Sequence, residues 1–393
     1  MSKVVFTNVS EYNQEEVTRA VKQMFDDLGG LKSFVKEGSK VFLKLNLVRE
    51  MSADKAATTH PTVVNAVASL LQQECNAKVV VGDSCGGLYN HAVMNSVYRG
   101  CGLKEGEAQG LYVLNQDFSS KTVTIGGKAL GTTEIINAFL DADCVINLGK
   151  LKTHSFTGFS GVAKNLFGLI PGLVKVEMHA THPVLEDFCH LLCDIVNFAQ
   201  PKIVLHLTDA IVGMEGPGPT NGTPKKIGKL FCGTDPFQVD VASVSLFDEP
   251  LKMPLIKVAI DRGYLSQDFA EIDCDFALLK ADYIADYKRV EVQSDAAFLH
   301  LPKWVRFLAE KFLTQKVKMR TKRCKKCKKC EIHCPAKAIT MGKKKAVVEH
   351  KKCIRCFCCQ ELCPFDAVEI KQSFLLKTTR WLSSTKSSKK KPK

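Results

Sequence analysis

The chain has 393 residues, 45% of them hydrophobic, and a formal net charge of +14 at pH 7. The hydrophobic content is ordinary for a globular protein and the length exceeds that of a typical domain, so at least two folding units are expected. The chain opens without an apolar signal segment and has no apolar run long enough to span a bilayer, which disfavours a secreted disulfide framework and predicts a reduced, cytoplasmic protein.

Short β-branched runs alternate with helical patterns through residues 1–292. This alternation predicts an α/β fold with a mainly parallel sheet, whose ligands bind at the carboxyl ends of strands. The familiar phosphate-binding glycine motifs of nucleotide-binding proteins are absent. The predicted strands are centred on residues 4–6, 41–43, 79–81, 144–146 and 203–205, and the predicted helices cover about 14–28, 61–75, 184–199 and 238–248.

Three polar clusters follow predicted strands, and the third is the densest. The first contains Lys44 and Asn46, and the second contains Asp83. The glycines of the third cluster let backbone amides approach an anion and its lysines add positive charge, so it predicts a site for a phosphate-bearing ligand. The alternative is a glycine-rich surface loop with solvated side chains. The third cluster contains Lys150, Lys152, His154, Gly158, Gly161, Lys164, Asn165, Gly168, Gly172, His179 and His182.

A group of carboxylates follows the last predicted strand. Asp209 and Glu215 are expected on either side of a tight turn, with Asp235 and Asp240 further along the chain. Carboxylates of this kind bind a cation or orient a base. Turn formation explains the accompanying glycines and prolines equally well.

Five short motifs in this part resemble the family called domain of unknown function 362, which is often fused to a paired-cluster ferredoxin module. The resemblance covers roughly residues 1–290 and implies no activity. The motifs are Thr59-His60-Pro61, Lys44-Leu45-Asn46, Lys152-Thr153-His154, Lys164-Asn165-Leu166-Phe167-Gly168 and Glu215-Gly216-Pro217-Gly218-Pro219.

A more distant resemblance connects residues 154–179 with nickel-dependent lactate racemase. His154, Gly158-Phe159-Ser160-Gly161, Lys164, Pro171-Gly172 and His179 repeat that family's order of a His, a Gly-Phe-Ser-Gly run, a cofactor-anchoring Lys, Pro-Gly and a second His. The resemblance implies a two-lobed α/β scaffold and an anionic or nucleotide-like ligand near Lys164. It does not imply racemisation, because Gly82-Asp83-Ser84 and Lys44-Leu45-Asn46 stand where that family has a His and an Asp and Arg.

These observations together predict a ligand site in the α/β part. The predicted catalytic residues are His154, Lys164 and His179, since histidine is suited to proton transfer near neutral pH. The predicted cofactor-binding residues are Lys44, Asn46, Asp83, Lys152, Gly158, Gly161, Asn165 and Glu215.

Eight cysteines near the C-terminus form two copies of Cys-x2-Cys-x2-Cys-x3-Cys-Pro, the spacing that bacterial ferredoxins use. It predicts two [4Fe–4S] clusters with crossed ligation, in a small α+β domain. Zinc is the rival interpretation, and three cysteines at this spacing followed by a fourth and a Pro disfavour it. Cys358 lies outside the pattern and is either a packed thiol or a spare ligand. The predicted ligands are Cys324, Cys327, Cys330 and Cys363 for the first cluster, and Cys353, Cys356, Cys359 and Cys334 for the second.

The flanking segments complete the predicted organisation. An α/β domain at 1–292 is followed by a linker at 293–320 that contains an amphipathic helix at 303–313. The ferredoxin-type domain covers 321–373. The tail at 374–393 is rich in Ser and Lys, so it is expected to be frayed, and its apolar stripe followed by lysines also suits peripheral contact with an anionic membrane.

The positive charge is concentrated at this end of the chain. Residues 303–393 contain 27 Lys and Arg against 6 Asp and Glu, a net charge of +21, which leaves 28 against 35, or −7, for residues 1–302. Such a patch attracts an acidic redox partner protein or a small electron carrier. Nucleic-acid binding is disfavoured because no recognition fold or aromatic stacking pattern accompanies the lysines.

The sequence as a whole predicts an iron–sulfur redox protein, in which two clusters relay electrons between an external carrier and a ligand or cofactor in the α/β domain. The alternative is a cofactor-dependent enzyme, an isomerase or oxidoreductase, that acts on a small organic acid at His154, Lys164 and His179. A basic binding or assembly protein with structural clusters is the third hypothesis.

Overall fold

The computed structural model describes residues 3–290, 292 and 315–371. The predicted amphipathic helix at 303–313, most of the linker and the basic tail lie outside the described residues.

The first part of the chain is built around one eight-stranded sheet with the order β1-β10-β9-β7-β2-β3-β4, in which β8 pairs with β7. Strands β9, β7, β2, β3 and β4 are parallel neighbours, whereas β1, β10 and β8 run antiparallel to theirs. Every strand predicted from the sequence is present. The strands are β1 (Val4–Asn8), β2 (Lys40–Lys44), β3 (Lys78–Gly82), β4 (Val113–Leu114), β7 (Cys144–His154), β8 (Gly158–Ser160), β9 (Ile203–Glu215) and β10 (Thr223–Gly233), with β5 (Ser120–Thr124) and β6 (Thr132–Ile136) in a separate hairpin.

Helices cover both faces of this sheet, each over its own hydrophobic core. This confirms the α/β class with a mainly parallel sheet. One face carries α1 (Gln14–Asp27), α2 (Pro61–Cys75) and α3 (His91–Gly100), and the other carries α6 (Val162–Asn165), α8 (Leu185–Ala199), α9 (Pro236–Val244) and α10 (Pro254–Asp261). The remaining helices of this part are α4 (Lys104–Ala108), α5 (Asn137–Leu140), α7 (Gly172–Thr181) and α11 (Phe276–Ala281).

The local sequence determines where α2 begins and ends. Pro61 occupies the first turn, where its missing N–H costs nothing, and His60 Nδ1 accepts a hydrogen bond from the Thr62 amide at 3.2 Å. The helix ends at Asn76, which adopts the left-handed conformation with φ of 48°. Just before this helix Thr59 lies at the strand ends, where its hydroxyl donates to the Leu148 carbonyl at 2.9 Å.

Strands β7 and β9 extend further than the sequence predicted, so Lys150, Lys152 and His154 lie on a strand instead of in a loop after it. The extension is possible because Lys150 and Asp209 are register partners on the two neighbouring strands. Their side chains form a fully buried ion pair at 2.8 Å, so each charge compensates the other inside the sheet.

The four carboxylates predicted as a cation or base site are held apart by separate partners. Asp209 pairs with Lys150, and Glu215, at the end of β9, pairs with Lys288 at 2.9 Å. Asp235 accepts from the Gln238 amide at the start of α9. Asp240 accepts from the amides of Val162 and Ala163 at the start of α6. The structure therefore does not bring them together as one site.

We expect His206 in β9 to make the fold sensitive to acid. Its side chain is fully buried, with Nδ1 accepting from Asn147 at 2.9 Å and Nε2 donating to Gln200 at 3.0 Å, and burial lowers its pKa to about 3. The unfolded chain binds this proton near pH 6.5, so His206 alone should lower the free energy of unfolding by about 1.4 kcal/mol per pH unit as the pH drops from about 6.5 toward 4.

Urea titrations followed by circular dichroism between pH 7.5 and 4.5 measure this slope. The variant His206→Gln should lose that part of the slope, while His91→Gln at an exposed position keeps it. Equal slopes in His206→Gln and the unsubstituted protein would show that the ring is already protonated in the fold.

The C-terminal part forms a small α+β unit with a duplicated backbone. Six non-glycine residues there have left-handed φ values between 48° and 62°, at 326, 328, 337, 355, 357 and 366. The second three repeat the first three with the same offset of 29 residues that separates Cys324 from Cys353. Its elements are β11 (Lys316–Met319), α12 (Lys329–Ile332), β12 (Ile339–Met341), β13 (Ala346–Val348), α13 (Cys358–Glu361) and β14 (Val368–Lys371).

This unit begins earlier than the predicted boundary at residue 321. Strand β11, in the segment assigned to the linker, pairs antiparallel with β14 over all four of its residues. Hairpin β12–β13 forms the other ladder. The strands at the two ends of the unit's sequence thus pair with each other and join its two halves.

Candidate functional site

A cavity of about 100 Å³ lies between the strand ends of the α/β part and helix α13 of the C-terminal unit. We call it the lysine cavity, because Lys152, Lys164 and Lys175 line it. Six of the predicted site residues contact it along with Lys164, namely Asn46, Asp83, Lys152, His154, Asn165 and His179. Residues that the sequence did not indicate also line it, among them Ser84, Lys175, Cys358, Glu361 and Leu362.

Four of the predicted binding residues lie elsewhere. Lys44 is buried behind the wall and forms an ion pair with Asp83 at 2.6 Å. Gly158 lies in the β7–β8 hairpin, and Gly161 packs against Asp240 at the start of α6. Glu215 is held by Lys288 at the far end of β9. These positions shape or support the strand ends but do not line the cavity.

His154 has partners at both ring nitrogens, two hydrogen bonds at Nδ1 and a polar contact with Glu361 at Nε2. Nδ1 accepts from the amides of Phe156 and Thr157 at 3.2 and 3.3 Å, so the proton of the neutral ring is on Nε2, which faces Glu361 Oε1 at 3.2 Å. Burial and the nearby Lys164 lower its pKa to about 4. In this arrangement His154 holds Glu361 at the cavity and has no free nitrogen for a ligand.

His179 is the histidine with a free nitrogen. Its ring stacks on Phe188 with 4.5 Å between centroids, and Phe156 and Phe167 contact it edge-on. Nδ1 is buried without a hydrogen-bond partner among the described residues, and burial lowers the pKa of the ring to about 3. A neutral imidazole clamped by aromatic rings is suited to accept or donate a hydrogen bond to whatever fills the cavity.

The three lysines of the cavity have no carboxylate partner within ion-pair distance in the described part of the chain. Lys152 Nζ donates to Asn46 Oδ1 and the Ala57 carbonyl at 2.7 and 2.6 Å. Lys175 Nζ donates to the carbonyl and hydroxyl of Ser84. Lys164 lies over the Phe167 ring at 6.0 Å. Burial lowers all three pKa values, for Lys152 to about 7 and for Lys175 to about 8.

Among the described residues, four polar contacts of 3.2 Å or less hold the C-terminal unit against the cavity. Gln360 Nε2 donates to the Pro217 carbonyl at 3.0 Å, and Asn221 Nδ2 donates to the Val368 carbonyl at 3.2 Å. Arg49 and Asp366 form an ion pair at 3.1 Å, and the His154–Glu361 contact is the fourth. Helix α13 is therefore a wall of the cavity.

The cysteines of the C-terminal unit group as the crossed ligation predicts. Cys334, Cys353, Cys356 and Cys359 together line a small apolar cavity. The thiol of Cys330 is buried near Cys363, Cys327 and Cys324, and burial and the charges of those thiolates raise its pKa to about 11. Cys334 and Cys363 accept hydrogen bonds from the amides of Ala338 and Ala367.

This donor set fits cubane clusters. Each thiolate of a cubane binds a different iron, so the four sulfurs surround a volume. In residues 3–290, 292 and 315–371, no three His, Cys, Asp or Glu side chains are close enough to hold a single metal ion. Cys358, the odd thiol, is buried, lines the lysine cavity and also contacts the thiol of Cys356.

Little in the sequence indicated that Lys175 and Glu361 belong to the site. Lys175 lies on α7, directly after the Pro171-Gly172 step, and a lysine in that position reads as an ordinary exposed helical residue. Glu361 lies inside the three-residue spacer between Cys359 and Cys363, where the cysteine pattern draws attention away from it. Only the docking of α13 shows that both face one cavity.

Comparison with known proteins agrees with this division of the chain. Residues 41–245 match the family described as Domain of unknown function (DUF362), and residues 316–364 match a 4Fe–4S dicluster domain. A thylakoid-associated protein from Synechocystis is 28% identical over 310 residues, which cover 78% of this chain and 93% of that protein. None of the described helices has the length and apolar character needed to cross a membrane.

Two solved structures align with weaker similarity. Lactate racemase apoprotein from Thermoanaerobacterium thermosaccharolyticum has a TM-score of 0.40 and 14% identity, over 60% of this chain and 56% of that one. A protein from Thermotoga maritima has a TM-score of 0.37 and 13% identity, over 62% and 61%. The chain thus spans less than two thirds of either solved structure.

The DUF362 match covers more than half of the chain, and the dicluster match covers all eight patterned cysteines. The chain is therefore a member of the DUF362 family that carries an iron–sulfur-binding 4Fe–4S dicluster domain at its C-terminal end.

Proposed function

We propose that this protein is an iron–sulfur redox protein whose two [4Fe–4S] clusters relay single electrons to a ligand held in the lysine cavity. The observation that carries the proposal is the position of α13. This helix contributes Cys358 and Glu361 to the wall of the cavity, and its own Cys359 is a predicted cluster ligand. A predicted cluster ligand is thus the next residue in the chain after a residue of the cavity wall.

The chain's own residues have distinct roles in this proposal. The clusters supply single electrons when bound. Lys152, Lys164 and Lys175 bind an anionic ligand, and His179 is the group with a nitrogen free for a proton. His154 positions Glu361 and thereby fixes the wall that separates the clusters from the ligand.

The external electron carrier is proposed to dock beside the first cysteine run. Lys325, Lys326, Lys328 and Lys329 are all exposed around Cys327. Such a patch favours an acidic partner protein or a small anionic carrier, with an association rate that falls at high salt. The cytoplasmic location stays a prediction.

Anaerobic purification and reductive titration test the proposal. The protein should contain about eight iron and eight acid-labile sulfide per chain and should take up about two electrons reversibly, followed by paramagnetic resonance. Two zinc ions without sulfide would contradict the clusters, and clusters that cannot be reduced reversibly would contradict the relay.

A cofactor-dependent acid–base enzyme acting on a small organic acid is the second candidate. The unpartnered Nδ1 of His179 beside Lys164 favours it. The two candidates differ in their dependence on the clusters. Turnover of an organic acid that proceeds equally well with oxidised and reduced clusters would support acid–base chemistry, whereas turnover that consumes one electron per reduced cluster supports the relay.

A further inference from the structure

The charge around the lysine cavity is unbalanced when only the protein side chains are counted. Among the described residues, Lys44, Lys152, Lys164 and Lys175 line or back the cavity, against the carboxylates of Asp83 and Glu361. With every side chain in its ordinary charged form, four positive charges minus two negative charges leave +2, and burial without a counter-anion lowers the pKa values of Lys152, Lys164 and Lys175. Since an uncompensated buried charge costs several kcal/mol, such an excess points to a ligand that carries about two negative charges.

The two carboxylates are already committed to other partners. Asp83 forms an ion pair with Lys44, and its Oδ2 accepts from the Leu47 amide at 2.7 Å. Glu361 is held by His154. Lys152 and Lys175 donate hydrogen bonds only to uncharged oxygens. Lys164 has neither a hydrogen bond nor an ion pair within the described residues. Apart from the clusters proposed behind α13, the described residues therefore supply no further counter-charge to these lysines, and a bound anion would supply it.

The size of the cavity limits this anion. Its volume is about 100 Å³, whereas a cavity of about 150 Å³ is needed to hold benzene. The walls are closely packed, because a Cβ atom at Gly172 would collide with the carbonyl oxygens of Cys85 and Gly87. A charged group more compact than benzene, such as phosphate or oxalate, fits, and a whole nucleotide does not.

The lysine cavity continues into a wider space. A cleft of about 750 Å³ between the two units, which we call the interdomain cleft, is lined among others by Arg49, Leu88, Lys329 and His333. It shares Cys85, Gly86 and Leu362 with the lysine cavity. At this junction Leu362 packs against Gly86, where a Cβ atom would lie 2.9 Å from Leu362 Cδ2. The junction is thus a constriction whose far wall is a flexible side chain.

We propose that the lysine cavity binds the dianionic, oxygen-bearing head of a small substrate, a dicarboxylate or a phosphate ester, which enters from the interdomain cleft past Leu362. The inference rests on the proposed function, because it names the class of ligand that would receive the electrons. The head fills the lysine cavity, and any longer part of the molecule remains in the cleft. Charge and size together make the site selective for small dianions.

Isothermal titration calorimetry of the anaerobic holoprotein tests the head site with oxalate and inorganic phosphate as dianionic probes and acetate as the monoanion. Oxalate or phosphate should bind at one site per chain at least tenfold more tightly than acetate, because two charges are compensated instead of one. If both dianions bind no more tightly than acetate, the proposal is wrong. Tighter binding of oxalate indicates a dicarboxylate, and tighter binding of phosphate indicates a phosphate ester.

Lys164 is the position for a matched pair of variants, because its amine makes no hydrogen bond or ion pair within the described residues that a substitution would break. Lys164→Met should weaken dianion binding at least tenfold, whereas Lys164→Arg and the exposed Lys22→Met should retain it within about threefold. Unchanged binding in Lys164→Met would overturn the proposal. Iron content and circular dichroism verify that each variant is folded.

The entrance is tested by stopped-flow association of oxalate. Gly86→Ala, which places a methyl group against Leu362, should slow association at least tenfold, and Gly131→Ala on the open surface should not. Equal association rates in both variants would show that the anion does not pass Leu362. These measurements need no electron transfer, so absent dianion binding in a reversibly reducible protein refutes this inference alone, and binding without reversible reduction refutes only the relay.

Discussion

Replacing Cys334 and Cys356 together is expected to remove one cluster, whereas replacing Cys334 and Cys330 together is expected to remove both. Cys334 lines the same small cavity as Cys356, while Cys330 lies with Cys363. Under crossed ligation the first double variant damages one ligand set and the second damages two. The anaerobically purified proteins should then contain about four iron atoms and nearly none, respectively.

The design separates crossed from sequential ligation. If each run of four cysteines held its own cluster, the result would reverse, with about four iron atoms left in the Cys334→Ala/Cys330→Ala protein. Cys358→Ala is the matched control two residues from Cys356, and it should retain about eight. A loss of four iron atoms in this control would instead identify Cys358 as a ligand.

Asp209→Ala should destabilise the α/β part by about 3–5 kcal/mol, because it leaves the fully buried Lys150 without its counter-charge. The carboxylate also accepts from Tyr12 Oη at 2.8 Å and from the His60 amide at 3.0 Å, so three donors lose their acceptor together. Urea unfolding followed by circular dichroism under anaerobic conditions measures the loss.

Two comparisons make this prediction specific. Asp26→Ala breaks an exposed ion pair with Lys22 and should cost less than about 1 kcal/mol. The double variant Lys150→Met/Asp209→Leu should be more stable than Asp209→Ala, because it removes the unpaired charge together with its partner. A cost for Asp209→Ala no larger than that for Asp26→Ala would mean that Lys150 is neutral in the fold.

The predicted elements of the α/β part came from local patterns and proved reliable. The predicted helix at 61–75 coincides with α2, because proline, the apolar period and the terminal Asn76 all act within one element. The ends of β7 and β9 were less predictable. A lysine on one strand and an aspartate 59 residues later tolerate burial only because the register pairs them, and neither residue shows this alone.

The residues of the candidate site were likewise predicted from the sequence only in part. Asn46, Lys152, His154, Lys164 and His179 were predicted from strand ends and motif order, and the structure brings them to one cavity. The prediction that His154 is a proton-transfer group did not anticipate its fixed tautomer, since both of its partners are decided by the fold. Glu361 was missed because it reaches the cavity from the other folding unit.

The sequence by itself determined the cysteine spacing, the alternation of strands and helices, and the charge difference between the two parts of the chain. Cluster ligation and element periodicity depend on residues a few positions apart, so a linear pattern contains them. Only the tertiary structure decided that α13 closes the lysine cavity and that three lysines there have no carboxylate partner in the described part of the chain. Both facts depend on contacts between residues about 200 positions apart, such as His154 with Glu361, and these arise from the packing of two units against each other.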